Sequence, residues 1–597
     1  MSKRWIIREN DPERTRFLAR SAELPELVAS LLTARGIYTP DIARQFLKPN
    51  LKEQFRRPSS LPGCSAVAQH LFAAIQQGKK IVVYGDYDVD GITGCVILIK
   101  TLRDLGAKNV SYYIPSRLDE GYGLNAESVR KLHKNGCSVI ITVDCGINSV
   151  EEAELAKELG VEMLITDHHT PAAELPDAAA LAHAQLVRYP ADGNIVSPAA
   201  LKETELEQAK KYPFPTICGS ATALKVAFAL GELCTKEGLP ALSQKRIQEL
   251  IVLAAMGTVA DVMPLLDENR ALVKTGLEIL QNGNVSTGLT ELLRTANPKH
   301  KPVDEGLLGF QVQPRLNAAG RLGQAGLAVE LLLSEDPKRC SELAAEIDRQ
   351  NQTRRELENK IFYEAKSQII PEQDAAFILS GDWHKGVIGI VAGRLTEQFH
   401  RPAILISLNK MGGEAGKGVG SGRSIPGFNI HDALKSCGDL LVRFGGHSAA
   451  AGLTIEEKNI GEFQRRFCKL AAADITSEKR KADMFLEGTF PLGIFTPSAV
   501  GQIHQLAPFG AGNNKPAFAA SGVRVENIRA IGNGEHLSAE FVQGDVCIRG
   551  VAFNRKDWLD ELNVINEPVD IAFTAKISDF NGKVELNVLD WRIPEVR

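Results

Sequence analysis

No stretch of this chain approaches the roughly 20 consecutive apolar residues that a membrane-spanning helix requires, so a helical membrane protein is not expected. The first residues, MSKRWIIREN, set charges directly after a pair of isoleucines, which leaves no apolar core for a secretory signal and points to the cytoplasm. The ten cysteines include no CxxC pair, which disfavours structural zinc and suits a reducing compartment where thiols stay buried and unpaired. No excess of either charge exists: 69 basic residues face 73 acidic ones, a net charge of −4. That balance would be unusual for a small nucleic-acid-binding module, whereas in a large enzyme basic residues need only line one groove. There are no internal repeats, and the only compositional oddity is the glycine-rich run from Gly412 to Gly422, which reads as a functional loop rather than a linker. At 597 residues the chain exceeds the size of one core, about 250 to 300 residues, so three or four structural units are expected.

What is present has a clear order. From residue 81 strands and helices alternate: IVVYG, a helix from Ile92 to Leu105, VSYYIP, a helix from Asn125 to Lys134, SVIITV, a helix from Ser149 to Leu159, then VEMLIT. This pattern predicts a parallel, doubly wound sheet, in which ligands bind beyond the carboxyl ends of the strands. A helix from about Ile247 to Met256 runs on to Asp261 before Pro264, so Asp261 can face the same crevice. Asp336 and Pro337 open some thirty residues free of glycine and proline, one long connecting helix. A second α/β segment beginning at AAFILS follows, and the last hundred residues carry short alternating strands that predict a five-stranded barrel of the OB type. The expected division is 1–335, a catalytic unit with an N-terminal extension; 336–368, the connecting helix; 369–482, the second α/β unit; and 483–597, the barrel.

Gly85 to Gly94 read GDYDVDGITG, so Asp86, Asp88 and Asp90 fall at alternate positions straight after a buried strand. Carboxylates crowded this closely raise one another's pKa, and a divalent cation is the common way to keep them ionised together. A calcium loop of the EF-hand type fails, because it needs Glu at the twelfth position and Ile97 stands there. Asp144 follows the next strand, and Asp167, His168 and His169 follow the one after. A single strand-end aspartate is often a helix cap; three strand ends carrying aspartate, with two adjacent histidines, are hard to explain so. Mixed oxygen and imidazole ligands suit magnesium or manganese better than zinc. Glycine turns with Ser421 and Arg423 offer backbone N–H groups and a bidentate donor to an anion. Arg117, Arg315 and Arg321, beside glycine or asparagine turns, read either as phosphate clamps or as surface ion pairs. His384 and His536 read as structural or groove-lining, and His431 as a helix-start residue.

GDYDVDG, TVDCGI, TDHH and GTVADVMPL occur in the order and spacing of the four motifs of the DHH phosphoesterase superfamily. The resemblance extends to its RecJ family through PSRLDEGYGLN from Pro115, PRLNAAGRL from Pro314, WHKGVIGIVAGRL from Trp383, SGRSIPGFN from Ser421, FGGHSAAAG from Phe444 and LAPFGAGN from Leu506. The resemblance implies four units: a DHH domain, a linker helix, a DHH-associated domain and an OB-like nucleic-acid-binding domain. It implies two Mg2+ or Mn2+ ions, with Asp88 and Asp86 on one, Asp90, His168 and Asp261 on the other, and Asp144 bridging. His169 would contact the scissile phosphate, Asp167 would orient a neighbouring histidine, and His447 would sit at the cleft. Ser421 and Arg423 would help bind the 5′ end of single-stranded DNA, which would be hydrolysed to 5′-mononucleotides in DNA repair and recombination. A monomer with a single-strand-binding protein as partner is expected.

The sequence departs from the family in three places. A short insertion is read between Leu175 and Pro198, Ser197 stands where asparagine is usual, and CGSATALK replaces a glycine-valine-glycine wording; none is expected to touch a ligand. Two enzyme rivals remain, a DHH phosphodiesterase for short oligoribonucleotides or cyclic dinucleotides, which would lack the barrel, and a DHH pyrophosphatase, which would be far shorter. A non-catalytic replication scaffold would have degenerate metal motifs.

Overall fold

The computed structural model describes residues 3–117, 120–121, 123–189, 193–283, 285–370, 375–408, 416–476, 479–565, 567–578 and 581–594. Three residues of the Pro115 motif (118, 119 and 122), 190–192 of the apparent insertion and 412–415 of the glycine-rich run lie outside them.

The first sheet is five-stranded and parallel, in the order Val110–Tyr113, Ile81–Gly85, Val139–Val143, Glu162–Thr166, Ala180–Ala182. Its central strands are almost wholly apolar because both faces are covered. Ile81, Val83, Val139 and Ile141 enter one core, while Val82, Tyr84, Ile140 and Ile165 enter another on the opposite face. In chain order the strands run 2-1-3-4-5, so the connection reverses direction between Ile81–Gly85 and Val139–Val143, where such sheets bind ligands. The fifth strand, Ala180–Ala182, lies inside the segment expected to be an insertion, and Val187–Arg188 and Ile195–Val196 join Lys210–Lys211 in a small three-stranded sheet. That segment is thus partly integral to the sheet.

Asp336 caps the helix Pro337–Ser367 through its carboxylate on the Lys338 N–H, as expected, and proline occupies the first turn. Beyond it a mixed sheet runs Phe377–Gly381, Ala403–Ser407, Lys417–Arg423, Ala450–Glu456, Leu441–Gly446. Here one expectation fails. Gly418, Gly420 and Gly422 belong to a strand rather than a turn or functional loop. A Cβ at these positions would come within 2.6 to 2.8 Å of Ile406, Leu453 and Ile430, so the glycines mark a strand face pressed onto its core. FGGH likewise begins as strand and turns only after Gly446.

The barrel is closed by Phe518–Ile531, His536–Gln543, Val546–Ala552, Val569–Ile577 and Val584–Arg592. The N-terminal segment joins it: Arg4–Ile7 pairs in parallel with Asp483–Leu486, and Leu18, Val28, Leu32 and Phe46 share one core with Leu506, Phe518 and Phe573. Eight of the ten cysteines are buried as free thiols, with Cys468 half-buried and Cys547 exposed. No helix among the described residues is long and apolar enough to cross a membrane.

Candidate metal centre

The helix after the first strand starts at Val89, three residues earlier than its apolar pattern suggests, because Asp88 caps it by accepting the N–H groups of Asp90 (3.0 Å) and Gly91 (3.2 Å). Asp86 therefore sits at the strand end, Asp88 at the cap and Asp90 in the first turn. Gly91 permits this fold-back, since a Cβ there would stand 2.6 Å from the Asp86 backbone nitrogen. Asp144, at the end of the neighbouring strand, adopts φ 64°, a left-handed conformation that is uncommon outside glycine and clusters at functional sites.

Two groups of ligand-type atoms meet at this point: Asp86, Asp88 and Asp144 in one, and Asp90, His168 and Asp261 in the other, with the atoms of each within 4.8 Å of one another. His168 Nε2 is 3.0 Å from Asp144 Oδ1 and 3.5 Å from Asp261 Oδ2, so the two groups are contiguous. Asp261 arrives as the cap residue at the end of the helix Gln244–Ala260. Burial and then the charges of neighbouring aspartates push Asp86 and Asp144 well above their ordinary value and raise Asp88, and burial with Asp90 and Asp88 takes Asp261 up to about 8. Asp86 Oδ1 is buried without a hydrogen-bond partner among the described residues. Burial holds His168 below its ordinary value, hence neutral, the form that donates a lone pair. An oxygen-rich donor set with one neutral imidazole, an orphaned carboxylate oxygen and mutual repulsion fits divalent cations of the magnesium and manganese kind.

Asp167 does not point at these ligands. Its Oδ2 accepts the Ile147 N–H (3.0 Å), and its Oδ1 accepts the N–H groups of His168 (2.7 Å) and His169 (3.2 Å) and pairs with His169 Nδ1 (2.7 Å). Burial opposes the charge on both partners, but their hydrogen bond and attraction prevail: Asp167 falls below the carboxylate range and His169 rises to about 9.

Four supporting residues were not read from the sequence. His183, fully buried and held down to about 4 by burial, accepts from the Gln185 N–H at Nδ1 and contacts the His169 carbonyl through Nε2 at 2.8 Å. Gln185 Nε2 donates to the His168 carbonyl (2.8 Å). His183 directly follows a strand, so the strand-end rule that found Asp144 would have found it had Ala180–Ala182 been recognised. Gly219 and Ser220, at the start of the helix Gly219–Lys236, donate their N–H groups to Asp90 at 2.6 and 3.0 Å. CGSATALK therefore does touch a candidate ligand, contrary to expectation: a helix N-terminus aims its N–H groups at a carboxylate.

Tyr87, between Asp86 and Asp88 in sequence, lines a cleft of about 480 Å3 together with Arg117 from the first unit and Gly389, Ser421, Arg443 and Phe444 from the second. Arg423 donates to Ser421 Oγ (3.3 Å) and the Gly422 carbonyl (2.8 Å). Arg321 donates to the carbonyl of Gly386, another residue of the cleft wall, at 3.4 Å. Burial, then the charges of Arg117, Arg354 and Arg423, lower Arg321 to about 10; Arg423 is lowered by burial and Arg117. Arg315 does not join them, because its Nε is 2.8 Å from Asp348 of the connecting helix, the ion-pair alternative. His447 is exposed on the turn after Gly446 and is not among the cleft-lining residues. His384 accepts the Gly386 N–H, His536 accepts the Asn554 N–H, and His431 follows the first residue of the helix Ile430–Lys435, all structural positions.

Three family models match in succession: the DHH family N-terminal domain over residues 80–253, the DHHA1 domain over 373–473 and the RecJ OB domain over 486–590. The single-stranded-DNA-specific exonuclease RecJ of Escherichia coli is 32% identical over 99% of both chains. The chain belongs to the RecJ family. RecJ of Bacillus subtilis is 36% identical over 99% of this chain and 71% of its own length. Among solved structures, RecJ of Thermus thermophilus in complex with Mn2+ matches with a TM-score of 0.79 at 31% identity, over 99% of this chain and 80% of that one; its complex with Mg2+ gives 0.73. The order of units and the closed barrel are therefore those of a RecJ fold.

Proposed function

We propose that this chain is a divalent-metal-dependent exonuclease that hydrolyses single-stranded DNA from its 5′ end to 5′-mononucleotides, as family membership and the curated relatives' names support. The observation that carries the reading is the juxtaposition of opposite charges: contiguous groups of carboxylates with His168, and beside them a cleft lined by Arg117 and Arg443 that is reached through Tyr87, the residue between Asp86 and Asp88. Asp86 and Asp88 would hold one Mg2+ or Mn2+ ion, Asp90, His168 and Asp261 a second, and Asp144 would serve both. Bound ions of this kind supply Lewis-acid stabilisation of the charge that develops on the phosphodiester and activate water near neutral pH. Around them the protein positions and holds charge. Asp167 keeps a proton on His169 Nδ1, so the imidazolium can face the scissile phosphate, and His183 and Gln185 fix the carbonyls of the two histidines. Gly219 and Ser220 orient Asp90. Arg423 and Ser421 would take the terminal 5′ phosphate, Arg117 and Arg321 would clamp backbone phosphates, and His447 would sit beside the cleft on its exposed turn.

The barrel would extend the track for single-stranded DNA by stacking and phosphate contacts, through Arg529 and Arg549, which line a groove on it. A cytoplasmic monomer, acting in repair and recombination with a single-strand-binding protein as partner, completes the reading that the resemblance brings. End-labelled digestion with manganese or magnesium, on single strands blocked at the 5′ or the 3′ end, tests metal use, polarity and strandedness together. Persisting activity on 5′-blocked strands, or none with either metal, would overturn it.

A further inference from the structure

One run that carries the family resemblance, LAPFGAGN from Leu506, has no place in the chemistry above, and its surroundings say what it does. It belongs to the C-terminal unit but lies on the catalytic one. The Leu265 N–H donates to the Ala511 carbonyl at 2.7 Å, and the Phe509 N–H donates to Glu305 Oε1 at 2.8 Å. Gly510 and Gly512 let the loop approach: a Cβ on Gly510 would stand 2.8 Å from Leu265 Cδ1, and one on Gly512 3.2 to 3.3 Å from Leu266 and Pro264. The seam is pinned by Arg270, which is 1% exposed. Its guanidinium donates to the carbonyls of Leu506 (2.9 Å), Ala507 (2.9 Å), Pro508 (3.1 Å) and Phe46 (2.7 Å) and lies 3.9 Å over the Phe46 ring. Five donors in a planar fork suit this role; lysine could not span four carbonyls.

The contacted segment, Pro264–Leu266, begins three residues after Asp261. Between them Val262 stands at φ 54° and 70% exposed, a β-branched residue in the left-handed region. Such strain persists only where the surroundings over-determine it. Upstream, the Met263 N–H is tied to the Thr258 carbonyl (3.1 Å), and downstream the tie is the loop from the C-terminal unit. We infer that the loop Leu506–Asn513, locked by Arg270, is a positioning element of the metal centre: it sets the arm that carries Asp261 and so couples the C-terminal unit to the cation site of Asp90, His168 and Asp261. The inference rests on the two-ion reading of the site. It makes Arg270 a positioning residue, with no contact to substrate.

The test is manganese binding to the full-length protein by titration calorimetry, at a temperature where circular dichroism shows parent and variants folded. Arg270→Met removes the pin, and Gly512→Ala pushes on Pro264 and Leu266 while leaving the Arg270 contacts in place. In both, one site should keep parental affinity while the other weakens by roughly tenfold or more, the usual effect of losing support behind a ligand. Arg270→Lys should recover part of that loss. A purely structural seam would lower the melting temperature and leave both affinities unchanged in the folded variants; that result overturns the inference. A parent that shows fewer than two manganese sites would overturn the two-ion reading itself, and this inference with it.

Discussion

The two walls of the cleft solve opposite electrostatic problems by different means. On the strand-end wall the like charges are short aspartates, with Asp86, Asp90 and Asp144 buried and Asp88 and Asp261 half-buried, and three of them are held by backbone: Asp88 by the helix it caps, Asp90 by Gly219 and Ser220, Asp144 by a left-handed turn. On the facing wall Arg423, lowered by burial and then by the charge of Arg117, is held by the Ser421 hydroxyl and the Gly422 carbonyl of the glycine strand. Rigid carboxylates suit a cation of fixed coordination distance, and extended guanidinium groups suit a phosphate that must enter and leave. Each wall is destabilised alone and relieved by its counter-ion, so substitutions should be far less tolerated on the first than on the second.

The largest effect should come from Asp144→Ala, which removes a carboxylate adjacent to both ligand groups. Ion stabilisation of the reacting phosphodiester is worth several kcal/mol, so turnover should fall on the order of 10^3-fold or more. Calorimetry should show weaker manganese binding at both sites, while single-strand affinity without metal changes little. Near-parental turnover would remove Asp144 from the bridging position. Next comes Gly219→Ala. The added Cβ would lie 2.7 Å from Asp144 Cβ and 2.9 Å from Asp90 Oδ2, so the helix start or the carboxylates must move. Displacements of this scale cost about 10^2-fold in rate, measured as kcat on a saturating single strand. Unchanged kcat would show that the strand-end wall is more pliant than its backbone bonds imply.

The same contrast explains what the sequence made legible. Asp86, Asp88, Asp90, Asp144, His168 and His169 were readable because strand ends in a parallel sheet announce themselves through local apolar runs, and Asp261 because an apolar helix runs into it before Pro264. Barrel strands were readable for the same reason, since alternation is a local signal. The glycine strand was misread, because alternate glycines that fit against a core look in one dimension like the glycines of a turn. His183 was hidden by a three-residue strand too short to show periodicity. Gly219 and Ser220 donate backbone N–H groups, which almost any residue can supply, so only the fold places them on Asp90. The contact of Arg4–Ile7 with Asp483–Leu486 joins residues 479 positions apart, beyond any local pattern.

On the facing wall, Arg423→Ala should be milder. Loss of a charge-assisted contact costs about 1.5 to 3 kcal/mol, roughly tenfold or more in kcat/KM. The fall should be larger on a strand with a 5′ phosphate than on one with a 5′ hydroxyl, compared at one salt concentration because phosphate contacts are salt-sensitive. An equal fall on both would leave Arg423 a clamp for any backbone phosphate and would move end recognition elsewhere on that wall.

The smallest effect belongs to Arg315, an arginine that the sequence did not distinguish from Arg117 and Arg321. Its Nε lies 2.8 Å from Asp348, and its side chain is 14% exposed. To reach a phosphate it would have to leave that carboxylate, exchanging one charge-assisted pair for another at little net gain. The carboxylate is itself 45% exposed, so solvent screens the pair and its loss should cost little stability. Arg315→Ala should therefore keep kcat/KM on long single strands within about threefold of the parent. The plot of log binding constant against log salt gives the sharper reading, because a lost phosphate contact lowers its slope by about 0.7 for single strands. An unchanged slope for Arg315→Ala, beside a lowered one for Arg423→Ala, would confine phosphate recognition to the arginines that lack a carboxylate partner on the connecting helix. A lowered slope for Arg315→Ala would mean that DNA displaces Asp348, and the basic wall would then extend along the helix Pro337–Ser367.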